Sequence, residues 1–220
     1  MNIDSTIDGI LVLVLLADLA MLAAGRLATC IRLFATQCVV ISILPMLAEA
    51  AHGEGVGMHG LLMLLGTVGL KVILIPWLLR RTIRTSEIQR EIEPFIGFTA
   101  SVLVGAAMIA GCFALGGQLP LPGHPISELL VPVALSTLLI GMLILISRTK
   151  AITQVIGYLV LENGIFLFGL TLVRQMPILV ELGILLDVFV GVFVMAIVVY
   201  HIRRTFDHMD TDELDQLKEV

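Results

Sequence analysis

The sequence predicts an all-α protein: a polytopic membrane helix bundle of seven transmembrane helices, N-terminus outside and C-terminus in the cytoplasm. Three observations carry this expectation. Of the 220 residues, 58% are hydrophobic and only 14% charged, where a soluble domain is about one-quarter charged. Seven runs are apolar over the roughly 20 residues that cross a bilayer. The basic residues gather in alternate connections, which the positive-inside rule makes cytoplasmic.

Taken in order, the runs cover residues 7–24, 27–47, 60–79, 95–116, 129–147, 152–173 and 178–202. The segment before the first has acids and no Lys or Arg, so it lacks the basic region of a signal peptide, and the first run is read as a retained span. Arg26 and Arg32 lie at the first turn, Arg80, Arg81, Arg84 and Arg90 at the third, Arg148 and Lys150 at the fifth, and Arg203, Arg204 and Lys218 in the tail. That puts 11 of the 13 basic residues on one side, with Lys71 inside a span and Arg174 the exception. The opposite loops at 49–59 and 117–128 carry no Lys or Arg and are rich in Gly and Pro, and the sixth turn has only Arg174. His52, Glu54 and His59 share one of them, but a flexible Gly-rich turn without a supporting cysteine reads better as a polar loop than as a metal site. Cys30, Cys38 and Cys112 all fall within apolar runs and are read as packing residues. Trp77, the single Trp, ends the third run as an interfacial anchor.

Ionisable groups inside apolar runs carry the functional signal, because a charge at the centre of a membrane helix costs roughly 2.5–3.5 kcal/mol on insertion scales. Glu162 and Asp187 sit near the middle of the last two runs, which a short turn makes antiparallel neighbours. They are read as protonatable stations of a proton relay. Lys71 lies about 12 Å from the inner end of its run at helical rise, five residues before Pro76, whose missing N–H frees a carbonyl one turn back. It is expected to bridge or tune the acids, against the alternative that it snorkels to the interface. His201, at the end of the last run, is the candidate cytoplasmic outlet. Asp18 is well inside the first run, where it faces a neighbouring helix or a partner subunit, and Glu49 and Glu181 lie near span ends, within reach of water. No redox cofactor or metal is expected, since there is no Cys-x-x-Cys pair. The alternative reading of the buried charges is a static ion pair that holds the bundle in register.

Residues 127–204 resemble subunit K of NADH-quinone oxidoreductase and the C subunit of cation/proton antiporters. The stretch Ile156-Gly-Tyr-Leu-Val-Leu-Glu-Asn163 matches the family's Ile-Gly-Leu-Glu motif followed by Asn, with the glutamate three positions later. Asp187 with Gly191 reproduces the spacing of its second membrane acid, and His201-Ile-Arg-Arg204 its basic end. Over the whole chain the sequence is similar to the hydrogenase-4 component E family of formate hydrogenlyase and other group 4 membrane-bound hydrogenases. Leu70-Lys-Val-Ile-Leu-Ile-Pro76, Gly157-Tyr-Leu-Val-Leu-Glu-Asn-Gly164, Leu179-Val-Glu-Leu-Gly-Ile184 leading to Asp187, and the Arg-containing tail carry that likeness. The resemblance implies a non-catalytic subunit in the inner membrane of a prokaryote. Its implied partners are antiporter-like and quinone-binding-like membrane subunits, the hydrogenase peripheral arm and the lipid bilayer, with no nucleic acid. It divides the chain into four N-terminal helices (1–126), the three-helix subunit-K-like unit (127–204) and an acidic tail (205–220). A retinal-type pump is disfavoured by the lysine in the third run and by having only two Tyr and one Trp. An alternating-access carrier is disfavoured by the lack of paired broken helices.

Overall fold

A computed structural model describes residues 3–51, 68–77, 79–80, 95–116, 118–119 and 127–172. These form α1 (Ile3–Ala23), α2 (Leu27–Ser42), α3 (Leu44–Ala51), a π-helical segment (Val68–Leu74), α4 (Phe98–Gly116), α5 (Leu130–Ser147) and α6 (Ala151–Leu172). Among the described residues, five helices are long and apolar enough to cross a membrane: Ser5–Ala23, Leu27–Ala48, Phe98–Gly116, Leu130–Ser147 and Ile152–Thr171. They coincide with five of the seven expected runs. The run at 178–202, the acidic tail and the loop holding His52, Glu54 and His59 lie outside the described residues.

Prolines account for two irregularities. Between α2 and α3 the helix breaks at Ile43, two residues before Pro45. Pro45 has no N–H for the carbonyl of Ile41 and its ring crowds that oxygen; the N–H of Ile43 takes the orphaned carbonyl instead. Ahead of Pro76, whose missing N–H frees a carbonyl one turn back, the backbone widens into the π-helical segment that carries Lys71. A π turn re-spaces the carbonyls facing a pyrrolidine ring and turns the side chains it carries to a new azimuth.

The helices run alternately up and down. At one end, Arg148 Nη2 donates to the Leu22 carbonyl at 2.8 Å and the Phe95 N–H to that of Ser147 at 3.2 Å. At the other, Ser127 Oγ donates to the Asp8 carboxylate. Two apolar clusters fill the interior. One, nearer the arginine-bearing end, joins Met21, Leu22, Ile31, Phe34, Ile144 and Ile156 among others. The second, toward the opposite end, joins Ile7, Leu11, Ile41, Leu130, Val133 and Leu167. Polar side chains occupy the level between them.

Helices α5 and α6 meet backbone to backbone. A Cβ on Gly157 would stand 2.6 Å from the Leu145 nitrogen, one on Gly141 2.8 Å from the Gly157 oxygen, and one on Gly164 2.7 Å from Leu138 Cα. No side chain fits in these gaps, so the three glycines set both the separation and the rotation of α6. Small residues at helix contacts serve membrane bundles in this way. Here they fix the azimuth at which α6 presents Glu162 and Asn163. Helix α4, in contrast, leaves Leu103, Val104, Phe113 and Leu115 exposed, an apolar surface suited to lipid or a neighbouring subunit.

Candidate functional site

Seven buried side chains from five segments meet at the middle level of the bundle. Gln37, Thr137 and Glu162 lie close to the centres of their spans, and Asp18 within roughly one turn of the centre of its own. Each is at most 2% exposed. Lys71 Nζ lies 3.4 Å from Glu162 Oε1 and donates to Asn163 Oδ1 at 3.3 Å. The Phe166 ring centroid is 5.8 Å from the same ammonium, a loose cation–π contact on its apolar side. Asn163 Nδ2 donates to Gln37 Oε1 and to Cys38 Sγ, both at 3.4 Å. Gln37 Nε2 donates to Asp18 Oδ1 and Thr137 Oγ1 to Asp18 Oδ2, both at 2.7 Å.

The direction of this chain follows from its two ends. An ammonium only donates and an ionised carboxylate only accepts. Asn163 must therefore turn its oxygen to Lys71 and its NH2 to Gln37, and Gln37 its NH2 to Asp18. Two amide dipoles thus lie head to tail between a cation and an anion. A buried charge without such partners would cost several kcal/mol; here every link is within hydrogen-bonding distance and closed to water.

Of the expected site residues, the structure brings Lys71 and Glu162 together. With Nζ buried against Glu162 and Asn163, Lys71 does not snorkel to the interface. Asp187 and His201 lie outside the described residues. Asp18, which the sequence left facing either a neighbouring helix or a partner, is wholly internal. Gln37, Thr137 and Asn163 were missed as functional candidates. The available signal was an amide or hydroxyl near the centre of an apolar run, since hydrocarbon forces such groups to find partners inside the bundle. Cys30, Cys38 and Cys112 are buried, as packing residues should be, and Cys38 also accepts from Asn163.

Arg148 departs from its reading as a loop charge. It is only 1% exposed, and its guanidinium donates to Leu22 and stacks 4.8 Å from the Phe98 ring centroid. Thr149, the next residue of the same three-residue connection, is exposed; Arg148 is buried because its side chain lies against α1 and α4.

Comparison with known proteins bears out the resemblance. Residues 129–220 match the family model for NADH-ubiquinone/plastoquinone oxidoreductase chain 4L. An uncharacterized protein of Mycobacterium tuberculosis is 29% identical over 211 residues, covering 93% of this chain and 92% of its own. Hydrogenase-4 component E of Escherichia coli K12 is 29% identical over 148 residues, covering 67% of this chain and 68% of its own, and the Shigella flexneri protein of that name gives the same figures. No solved structure matches significantly. Thr137, Glu162 and Asn163 fall within the chain 4L match; Asp18, Gln37 and Lys71 precede it.

Proposed function

We propose that this chain, a relative of hydrogenase-4 component E whose residues 129–220 match the chain 4L family, is a non-catalytic membrane subunit of a respiratory-type hydrogenase complex and forms part of a proton path. Glu162 and Lys71 are the core of that path. Asp187 continues it at similar depth and His201 opens it to the cytoplasm. The redox centres belong to partner subunits. The complex sits in the inner membrane of a prokaryote, with this chain's N-terminus outside and its C-terminus inside. Antiporter-like and quinone-binding-like subunits flank it, and a hydrogenase arm adjoins it.

The observation that carries this reading is the Lys71–Glu162 pair, 3.4 Å apart and 2–3% exposed, near the middle of an apolar bundle. At an effective dielectric near 20, displacing one partner by an ångström changes the energy of the other by about 1 kcal/mol. A proton held there responds to a conformational or redox event next door. The π-helical segment supports the same reading, since π turns recur at functional sites. A second reading, a spacer whose ion pair only keeps helices in register, uses the same pair. Because the C-terminal match covers a quinone oxidoreductase family, a related quinone-reducing or cation/proton antiporter complex is the alternative host.

Affinity purification of the tagged chain from membranes in mild detergent tests membership. Recovery of hydrogenase and antiporter-like subunits is expected, and a solitary, stable chain contradicts it. Glu162→Gln in that complex separates relay from spacer. The relay keeps assembly and loses proton movement, whereas the spacer loses assembly with no selective effect on protons.

A further inference from the structure

We infer that Asp18 is a positioning residue for the Lys71–Glu162 pair: acting through Gln37 and Asn163, it keeps the Asn163 oxygen, rather than its NH2, on the Lys71 ammonium. This rests on the reading of that pair as a proton site, and it makes α1, which precedes the chain 4L match, part of the site.

The amide chain is firm at its Asp18 end and soft in its middle. Gln37 Nε2 meets Asp18 Oδ1 at 2.7 Å, the short length of a charge-assisted bond, and Thr137 on α5 holds the other carboxylate oxygen at the same distance. Asp18 and Gln37 are wholly buried, so no water competes for either. Asn163 is held less tightly by α2. Its Nδ2 contacts with Gln37 Oε1 and Cys38 Sγ are both 3.4 Å, and Cys38 Sγ approaches its Oδ1 at 4.0 Å. A thiol both donates and accepts, so Cys38 suits Asn163 either way round. An amide turns about one broad terminal torsion without moving the backbone. On α2, the group that selects a direction is therefore the Gln37 oxygen, which only accepts. Gln37 shows that oxygen to Asn163 because its NH2 is committed to Asp18.

The other charged and titratable groups described around Asp18 are placed elsewhere. Helices α4 and α5 contain no Asp, Glu, Lys, Arg or His, and their titratable side chains are limited to Cys112. On α2, Arg32 is exposed and Cys38 faces Asn163. Glu49 on α3 lies about 18 Å along the chain axis from the level of Gln37 at helical rise. Arg148 reaches α1 but donates to the Leu22 carbonyl, and Asp8 accepts from Ser127.

An Asn in place of Asp18 offers Gln37 an NH2 as readily as an oxygen, and Gln37 is then free to reverse. A reversed Gln37 sets its NH2 against that of Asn163. Either that contact is lost, or Asn163 reverses too and turns its NH2 on the ammonium, where donor meets donor. In a closed interior water does not replace the lost bond. The surroundings of the Lys71 ammonium change in both cases, two helices away from the substitution.

The test is solid-state NMR of the full-length chain, labelled with 15N-lysine, in phospholipid vesicles. The chain has three lysines, and the Lys71 Nζ resonance is the one lost in Lys71→Met. The expected result is a shift of that resonance in Asp18→Asn and in Gln37→Met, with no further shift when the two are combined. A general loosening of the bundle would accumulate with each substitution, whereas two cuts in one chain do not add. If Asp18→Asn fails to insert, Gln37→Met decides by itself, since it cuts the link and leaves both charged ends in place. An unchanged Lys71 resonance in either single variant, or shifts that add in the double variant, overturns the proposal. The readout is the state of an ammonium at equilibrium, so it stands or falls apart from whether the complex moves protons.

Discussion

Replacing Lys71 by Met removes the cation from the pair while keeping the length of the side chain. Coulomb attraction at 3.4 Å, with the effective dielectric near 20 that describes protein sites, is about 5 kcal/mol. Orphaning one partner of a buried pair costs about 3–5 kcal/mol in soluble proteins. A ceiling comes from chemistry: bringing a glutamate of ordinary pKa 4.3 to its neutral form at pH 7 costs about 4 kcal/mol, and the carboxyl protonates before the penalty exceeds that. Lys71→Met is therefore expected to destabilise the chain by about 3–4 kcal/mol. Lys71→Met with Glu162→Gln, which leaves no charge at the pair, should lie within about 1–2 kcal/mol of wild type. The assay is denaturant-driven unfolding of the full-length chain in mixed micelles, followed by far-UV circular dichroism. A single variant within about 1 kcal/mol of wild type, or a double variant as unstable as the single, would refute the claim that the pair is desolvated and coupled.

Further outcomes follow from the packing. Gly141→Val forces a side chain against the Leu161 backbone and the Gly157 oxygen, so it should cost at least about 1–3 kcal/mol in the same unfolding assay and separate α5 from α6 in disulfide-scanning experiments. Arg148→Ala loses a charged hydrogen bond and a ring contact, an expected loss of about 2–4 kcal/mol, whereas Arg148→Lys retains part of both and should lose about half as much by unfolding midpoint. Thr137→Val removes one donor to Asp18 and should cost about 0.6–2 kcal/mol, while Asn163→Leu breaks the chain at three partners and should cost more; equal effects would contradict the connectivity.

Depth was legible in the sequence; azimuth was not. Counting from the ends of its apolar run put Glu162 near the centre of its helix, and an alternating topology put Lys71 at a compatible level, so their meeting could be anticipated. Asp18 was legible as a buried acid, but its partners were not. Helices that are apolar on nearly every side carry no amphipathic stripe to say which face turns inward. Gln37 and Thr137 were hidden for the same reason. Pro76 announced a distortion beside Lys71 without saying that it would be a π-helical segment rather than a kink. Arg148 stood in a short connection between two long runs and looked solvent-facing. Its burial depends on the Leu22 carbonyl of α1 and the Phe98 ring of α4, a property of the assembled bundle rather than of any one helix.

Proton stoichiometry per electron pair, measured in the assembled complex with Glu162→Gln and with Glu162→Asp, bears most directly on the proposed path through the Lys71–Glu162 pair. The expected result is electron transfer retained, proton movement abolished in Glu162→Gln, and partial movement restored in Glu162→Asp. An assembled, turning-over Glu162→Gln complex that moves as many protons per electron pair as wild type would contradict it.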